Sequence, residues 1–378
     1  MSAQASGGSA AKKKKPKKLL MKQPQMLRMI YALIPVMLTG IYFFGWVVAA
    51  IVAFCLLVGF AVEYVSAQHR GQPVSTALFV TILLYSLSLP ATTPLWVAGV
   101  GAAVAVLFGK EVYGGFGRNW VNPAIVGRAF VYICFPQDLT GRFVPAFQGF
   151  PGGFAHWSFK SLKQLPEYLQ AGGETVADAV TQASPMFVGT KYGSEAIVNN
   201  GQGATLWDMA WGTIGGIFQT PSGSEEILAA GSIGEGCGVI ILLCAIYLLV
   251  TKTASWRLML GGLIGVTAAS LLFRQGLGYT DVGQVPPLAW QVLSGTTLYA
   301  MVFMVTEPVS APRKDTARLI YAFVIGFLLV FLRWKGPFIA AATFSILLGN
   351  MLAPLIELGV GSWEDRRKAR AAAGKGDQ

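Results

Sequence analysis

The sequence predicts an all-α polytopic membrane protein, and three observations carry that prediction. Hydrophobic residues make up 54% of the 378 positions and charged residues only 12%, whereas soluble domains carry about 25% charged residues. Mean hydropathy is +0.55, and so few charges do not coat a soluble globule of this size. Apolar stretches recur along the chain at close to the ~20 residues that span hydrocarbon. Lipid requires every backbone polar group to be paired within the segment, which selects helices. Disorder is excluded by 23 Phe and 10 Trp, because disordered chains are poor in such residues.

Residues 1–28 form a basic tail, with the run Lys12-Lys13-Lys14-Lys15-Pro16-Lys17-Lys18 followed by Lys22 and Arg28. A secretory signal reading fails, since no A-x-A site follows an apolar region. The tail is expected to be a disordered cytoplasmic arm against anionic lipid headgroups. The net charge of +11 also suits nucleic acid, but the basic residues flank hydrophobic stretches, so no nucleic acid partner is expected. Ten apolar stretches follow. Five (29–44, 46–66, 73–90, 94–109, 121–136) form a first membrane repeat over 29–136. Five more (236–251, 255–273, 286–305, 317–334, 337–357) form a second over 236–358. Between them lies a polar loop, 137–235, too long for an ordinary helix connection and therefore a functional candidate. A basic tail, 359–378, closes the chain.

With the N-terminus inside, cytoplasmic segments hold 21 of the 29 Lys and Arg, which places both termini in the cytoplasm by the positive-inside rule. Five spans plus five spans run in opposite senses, the arrangement of two inverted repeats. The third stretch ends in Leu89-Pro90-Ala91-Thr92-Thr93-Pro94 and the eighth in Thr306-Glu307-Pro308-Val309-Ser310-Ala311-Pro312, marking corresponding broken helices.

The densest chemical signal is Gly109-Lys110-Glu111-Val112-Tyr113-Gly114-Gly115-Phe116-Gly117-Arg118-Asn119-Trp120-Val121-Asn122-Pro123. Gly114 and Gly115 permit a tight turn and close approach to a ligand. Arg118 and the helix N-terminus after Asn119 and Asn122 offer an anion site; a cytoplasmic turn with positive-inside charges fits equally. No strand precedes these glycines, so a Rossmann reading fails. Arg128 lies inside an apolar stretch, where a charge must be paired or solvated. Glu63, Glu235, Glu307 and Glu357 are its candidate partners, or cation ligands, or interfacial carboxylates. Ser232-Ile233-Gly234-Glu235 also reads as a capping box opening the sixth span. Asp178-Ala179-Val180-Thr181-Gln182-Ala183-Ser184-Pro185 presents a hydroxyl in a small-residue turn, a pattern common on surfaces. His69 and His156 stand alone, and Cys55, Cys134, Cys237 and Cys244 show no C-x-x-C spacing, so buried thiols are expected and a metal is not.

In order between about residues 73 and 357, PATTPLW, FGKEVYGGFGRNWVNPAIVGRAFVYICFP, GSIGEGCG, TASWRLMLGG, FMVTEPVSA and GNMLAPLIE resemble the NqrB/RnfD family. These are flavin-bearing membrane subunits of the sodium-pumping NADH:quinone oxidoreductase and of the Rnf complex, and the second motif is closer to NqrB. The resemblance implies a ten-span fold like that of urea and ammonium transporters, in the cell inner membrane. It implies FMN joined through its phosphate to a hydroxyl in a motif D-x-x-[S/T]-G-A-T, carried over onto Asp178, Thr181, Gln182, Ala183 and Ser184, with Ser184 as the attachment residue. Gln182 replaces Gly and Ser184 replaces Thr; serine makes the same phosphoester, while recognition by the flavin transferase is put in doubt. Thr205, in Gly203-Ala204-Thr205, is the alternative attachment residue, but no Asp stands six residues before it.

The family's quinone site lies near Gly-Gly-x-x-Glu, which here becomes Gly59-Phe60-Ala61-Val62-Glu63 with one glycine lost. A family carboxylate linked to sodium uptake falls on Glu357 in Ala353-Pro354-Leu355-Ile356-Glu357, with Glu in place of Asp. The basic tail does not resemble the longer amphipathic extension of NqrB. The resemblance thus implies electron transfer from covalent FMN, through a non-covalent riboflavin, toward ubiquinone, coupled to Na+ at Glu63 and Glu357, with NADH oxidised by other subunits. An RnfD-type subunit serving ferredoxin and NAD is the first alternative, and a flavin-free solute channel of the same fold the second.

Overall fold

The structure, a computed structural model, describes residues 20–140, 143–147, 149–158, 184–191, 205–215, 217–219, 225–280, 284–336 and 340–376. It is a helical bundle whose described strands are two short pairings, Leu20–Met21 with Val74–Ser75 and Ile217–Gln219 with Glu225–Ile227. Among the described residues, five helices are long and apolar enough to cross a membrane: α1 (Pro24–Phe44), α2 (Val47–Arg70), Trp256–Gly276, α10 (Asp315–Lys335) and Ala341–Arg370. Helix also occupies the other five apolar stretches, but in shorter or interrupted pieces. These are α3 (Ala77–Leu87), α4 (Leu95–Val106, continued by a π-helical turn Leu107–Glu111), α5 (Pro123–Cys134), α6 (Gly238–Val250) and the pair α8 (Leu288–Leu293) and α9 (Thr297–Tyr299). Of the five long helices, Trp256–Gly276 consists of α7 (Trp256–Leu271) and a π-helical turn (Leu272–Gly276), and Ala341–Arg370 belongs to α11 (Ala341–Gly376).

Local chemistry explains the breaks. Pro90 and Pro94 stop α3 and start α4, since proline has no N–H to give and disfavours helix in the residue before it. Asn122 caps α5 by accepting from the Ala124 N–H at 3.0 Å, with Pro123 at the first helical position, the favoured opening chemistry. Gly71 ends α2 in a left-handed conformation after His69 and Arg70, as a C-cap glycine does. The Ser232–Glu235 stretch is not the expected capping box. Ser232 makes no side-chain cap bond, and Ile233–Glu235 is a separate 3-10 turn ahead of α6.

α3 is apolar all round and buried along nearly its whole length, the signature of a helix inside a bundle rather than on its surface. The run from Leu298 to Val305 is buried in the same way. These two short helices form the centre: the Tyr299 hydroxyl donates to Leu84 O at 3.2 Å, and the Ile233 N–H to Leu89 O at 3.0 Å. Around them the two halves repeat a packing order. α2 packs on α3 and α4, and α4 on α5; α7 packs on α8 and α10, and α10 on α11. Glycines set the closest of these crossings. A Cβ on Gly326 would lie 2.1 Å from Gly262 O, and one on Gly265 2.2 Å from Phe323 O, so α7 and α10 touch backbone to backbone, as small-residue stripes allow.

The bundle has two ends. Contacts from Leu20 to Val74, Gln25 to Thr253, Arg257 to Asp315 and Lys314 to Glu364 gather both described termini at one end, the terminal face. Gly45, Phe147, His156, Trp157 and Ile214 meet at the other, the loop face.

Candidate functional site

Two cavities flank the central pair of short helices, one toward each face. The terminal-face cavity is lined by polar atoms of Asn119, Asn122, Thr306 and Glu307 and by apolar Met26, Met29, Val80 and Phe116. Its polar wall is assembled from distant segments. Asn122 Nδ2 donates to Met304 O at 3.1 Å, so the start of α5 closes the C-terminal end of the α9 segment. Asn119 Nδ2 donates to Val121 O at 3.1 Å and lies 3.5 Å from Glu307 Oε1, while the other Glu307 oxygen takes the Ser310 N–H at 3.1 Å. Lys110 reaches the edge of this cavity with its ammonium turned to Glu63 Oε2 and Ser75 Oγ, each at 2.6 Å. Glu63 Oε1 accepts the Ser75 N–H and Oγ–H at 2.8 Å each. Glu63 is therefore not an open carboxylate but the fully paired anchor that holds the start of α3. Arg70 pairs with Glu111 beside it.

The loop-face cavity contains the predicted attachment residue. Ser184, 5% exposed, lines it with Pro185, Met186, Arg128, Ser232, Glu235, Gly295 and Arg333. The short helix Pro185–Lys191 presents Ser184 at its start, and Trp290 Nε1 fastens that segment to α8 by donating to Pro185 O at 3.1 Å. Arg128 Nη2 lies 3.9 Å from Glu235 Oε1 and 3.4 Å from Ser232 Oγ, while its Nε is buried with no acceptor. Of the four candidate carboxylates, Glu235 is the one beside Arg128. A hydroxyl on the wall of a cavity holding buried guanidinium groups and small residues such as Gly231 and Gly295 suits the phosphate end of a flavin.

Other sequence candidates separate from both cavities. Gly114, Gly115 and Gly117 do form the tight turn, with φ of 103°, 95° and 82°, a backbone that favours glycine. Arg118 is exposed outside the cavities, and the Asn122 side chain caps the helix start that was to join it in an anion site. Gly59 packs beneath Ile82, whose Cδ1 a Cβ would meet at 2.6 Å. Glu357, half-buried on α11, accepts the Arg313 N–H at 3.3 Å on either oxygen. Thr205 is bound up in a capping box: its hydroxyl accepts the Asp208 N–H at 3.2 Å and donates to Asp208 Oδ2 at 2.8 Å. Burial pushes the Asp208 carboxyl up, but bonds from Thr205 and Thr213 outweigh it and hold the group below its ordinary range. Asp178, Thr181, Gln182 and Ala183 lie outside the described residues. Cys55, Cys237 and Cys244 are buried as expected, whereas Cys134 is exposed at the end of α5. No cluster of metal-ligating side chains occurs among the described residues. The sequence analysis does not single out Arg333, and it takes Lys110 only as part of the glycine-rich segment; burial is what distinguishes the two.

A profile of the NQR2, RnfD, RnfE family matches residues 20–361. The chain is 33% identical over 306 residues to the NqrB subunit of the Na(+)-translocating NADH-quinone reductase of Chromohalobacter salexigens, covering 80% of this chain and 63% of that protein. It is 31% identical over 323 residues to the corresponding reductase subunit of Pseudoalteromonas atlantica, covering 84% and 68%. The Yersinia pestis counterpart is 32% identical over 324 residues, covering 85% and 68%. The chain thus spans slightly less than two thirds of the Chromohalobacter relative's length. With a family profile running through nearly all of the helical bundle, both cavities included, the chain belongs to the NQR2, RnfD, RnfE family.

Proposed function

We propose that this protein is the membrane electron-transfer subunit of a Na+-pumping NADH:ubiquinone oxidoreductase, with FMN held covalently at Ser184. The observation that carries the reading is that Ser184 is buried on the wall of a cavity containing Arg128 and Arg333, in a chain whose relatives are named as reductase subunits. Bound flavin supplies the redox chemistry, and the protein supplies position, polarity and exclusion of water. Ser184 rather than Thr205 is favoured because Ser184 is buried on this wall, whereas Thr205 is exposed and does not line the cavity. A flavin transferase attaches the group, and other subunits of the complex oxidise NADH.

The terminal-face cavity is the seat of a second, non-covalent flavin, riboflavin. Asn119, Asn122 and Glu307 offer donors and acceptors for the edge of a planar ring, and Met26, Met29 and Phe116 offer apolar faces. Ubiquinone approaches the terminal-face end of α2 near Gly59 and Glu63. Of the two acids proposed for Na+ uptake, Glu357 is the better placed. Its described partner is a backbone N–H, whereas a cation at Glu63 must displace the Lys110 ammonium. The fold reading that goes with this function is ten membrane segments in two inverted five-helix repeats, urea-transporter-like, in the inner membrane with cytoplasmic termini and lipid-facing basic tails. The repeated packing order of α2–α5 and α7–α11 supports it.

The test is ultraviolet in-gel fluorescence of the denatured full chain, co-expressed with a flavin transferase, beside Ser184→Ala and Thr205→Ala. Fluorescence lost only in Ser184→Ala, with the adduct mass on the Ser184 peptide, is the expected result. A band that survives Ser184→Ala removes Ser184 from the reading, and no adduct anywhere leaves the flavin-free channel in its place.

A further inference from the structure

The loop-face cavity contains more positive charge than its described carboxylate cancels. Arg128 and Arg333 are each 8% exposed and reach the cavity from different helices, α5 and the last turn of α10. Among the described residues, Glu235 is the carboxylate within ion-pair distance of Arg128, and none lies that close to Arg333. Arg333 is instead held by neutral groups: its Nη1 donates to Gln291 O and Gln291 Oε1, both at 3.0 Å. Its Nη2 lies beside Gly295, where a Cβ would stand 3.2 Å from it and 3.6 Å from Met186 Cβ. The Arg128 Nε–H is buried without an acceptor among the described residues. A buried guanidinium with no counter-charge is costly unless an anion joins it.

We infer that Arg128 and Arg333 together form a phosphate-recognition site in this cavity, selecting flavin mononucleotide over riboflavin. The inference rests on reading the cavity as the FMN site and names the groups that recognise its phosphate. The charge balance agrees, because a phosphodiester on Ser184 carries one negative charge, matching the one guanidinium that Glu235 leaves over. Geometry agrees as well: Met186, two residues after Ser184, packs beside Gly295 and the Arg333 guanidinium. Arg333 has Nη2 hydrogens for a phosphate oxygen while Gln291 fixes its plane, and Arg128 contributes its guanidinium to the same cavity from α5. Gly295, with φ 68°, has no Cβ to stand against Nη2, where one would lie 3.2 Å away.

The test uses the full-length Ser184→Ala protein made without flavin transferase, with FMN and riboflavin as probes in fluorescence-quenching titrations. The expected result is FMN binding at least about tenfold tighter than riboflavin, as charge-assisted hydrogen bonds to phosphate provide. Adding Arg333→Gln brings the ratio of the two dissociation constants to about one, and Arg333→Lys restores part of it. Arg128→Gln does the same provided its melting temperature is unchanged; if it unfolds, the Arg333 pair decides. Equal affinities for FMN and riboflavin in Ser184→Ala, or a ratio unmoved by Arg333→Gln, overturns the proposal. The covalent reading is judged separately by the adduct mass on the Ser184 peptide of the wild-type chain. A missing adduct with the FMN preference intact removes Ser184 and leaves the arginine site standing. An adduct on Ser184 with no FMN preference does the reverse.

Discussion

Replacing Lys110 with methionine removes one side of an ion pair sealed inside the bundle. The Lys110 and Glu63 side chains are 2% and 3% exposed, with Nζ 2.6 Å from Oε2. The variant leaves Glu63 with the two donors of Ser75 and no cation, and breaking one side of a buried pair costs about 3–5 kcal/mol. Glu63→Gln strands the Lys110 ammonium instead, at a cost of the same order. The double variant Lys110→Met/Glu63→Gln leaves no uncompensated charge, and its amide oxygen still accepts from Ser75, so it recovers most of the loss. A double-mutant cycle on unfolding in mixed detergent micelles, followed by tryptophan fluorescence, then gives a coupling of at least about 2 kcal/mol. If the two single costs add to the double within about 0.5 kcal/mol, the pair is not the anchor of α3 and the account of that end of the bundle fails.

Gly326→Val puts side-chain atoms where a Cβ already meets Gly262 O at 2.1 Å. It is expected to destabilise by about 3 kcal/mol or more, since backbone cannot yield as a side chain does, while Gly359→Val on open α11 surface changes the melting temperature little. Thr205→Ala removes the cap of the Leu206–Trp211 helix and costs about 1 kcal/mol locally, read as faster amide exchange across it. Because the folded-state pKa of Asp208 is depressed below 3.8, the stabilisation it adds is present above that value. It is lost as pH falls through the lower folded value; exchange at residues 205–211 that is unchanged between pH 5 and pH 2 contradicts this. Glu357→Gln is expected to abolish the Na+ stimulation of quinone reduction by the assembled complex. Stimulation that persists in the Glu357→Gln/Glu63→Gln double variant removes both acids from the ion path.

What was legible in the sequence was whatever lipid and the interior both demand. Apolar stretches stood out because charge is excluded from them, and helix occurs at each one. The interruptions were half legible: Pro90 and Pro94 announce the end of α3, but the residues of the α9 segment look like any apolar run. Pro308 marks the end of that segment, but its closure is tertiary, with Asn122 Nδ2 donating to Met304 O, and no local signal encodes a partner so far away in the chain. The same limit applies to the charges. Arg128 was conspicuous inside an apolar stretch, whereas Lys110 and Arg333 sat at helix ends, where basic residues usually snorkel to water. Ser184 came from a motif, yet its motif neighbours say nothing of Trp290 fixing Pro185, or of the guanidinium groups that share its cavity.

Lys110 and Arg333 also explain one another. Under the five-plus-five reading of the chain, α4 corresponds to α10. Lys110 ends the first and Arg333 lies in the last turn of the second, so the two cations occupy equivalent places at opposite faces. Each grips the segment that leads into a central short helix, Lys110 through Ser75 before α3 and Arg333 through Gln291 before α9. Their counter-charges differ. Glu63 satisfies Lys110 completely, which makes the terminal-face position a closed structural clamp, whereas Arg333 faces a cavity and has an amide and a carbonyl where its counterpart has a carboxylate. Under that reading one position serves two purposes, and the difference lies in a single acid. Supplying that acid should convert one into the other: Gln291→Glu is expected to pair Arg333, stabilise the bundle against unfolding, and erase the preference for FMN over riboflavin. A variant that is stabilised yet keeps the preference would show that Arg333 only holds the helix and that the phosphate is recognised elsewhere.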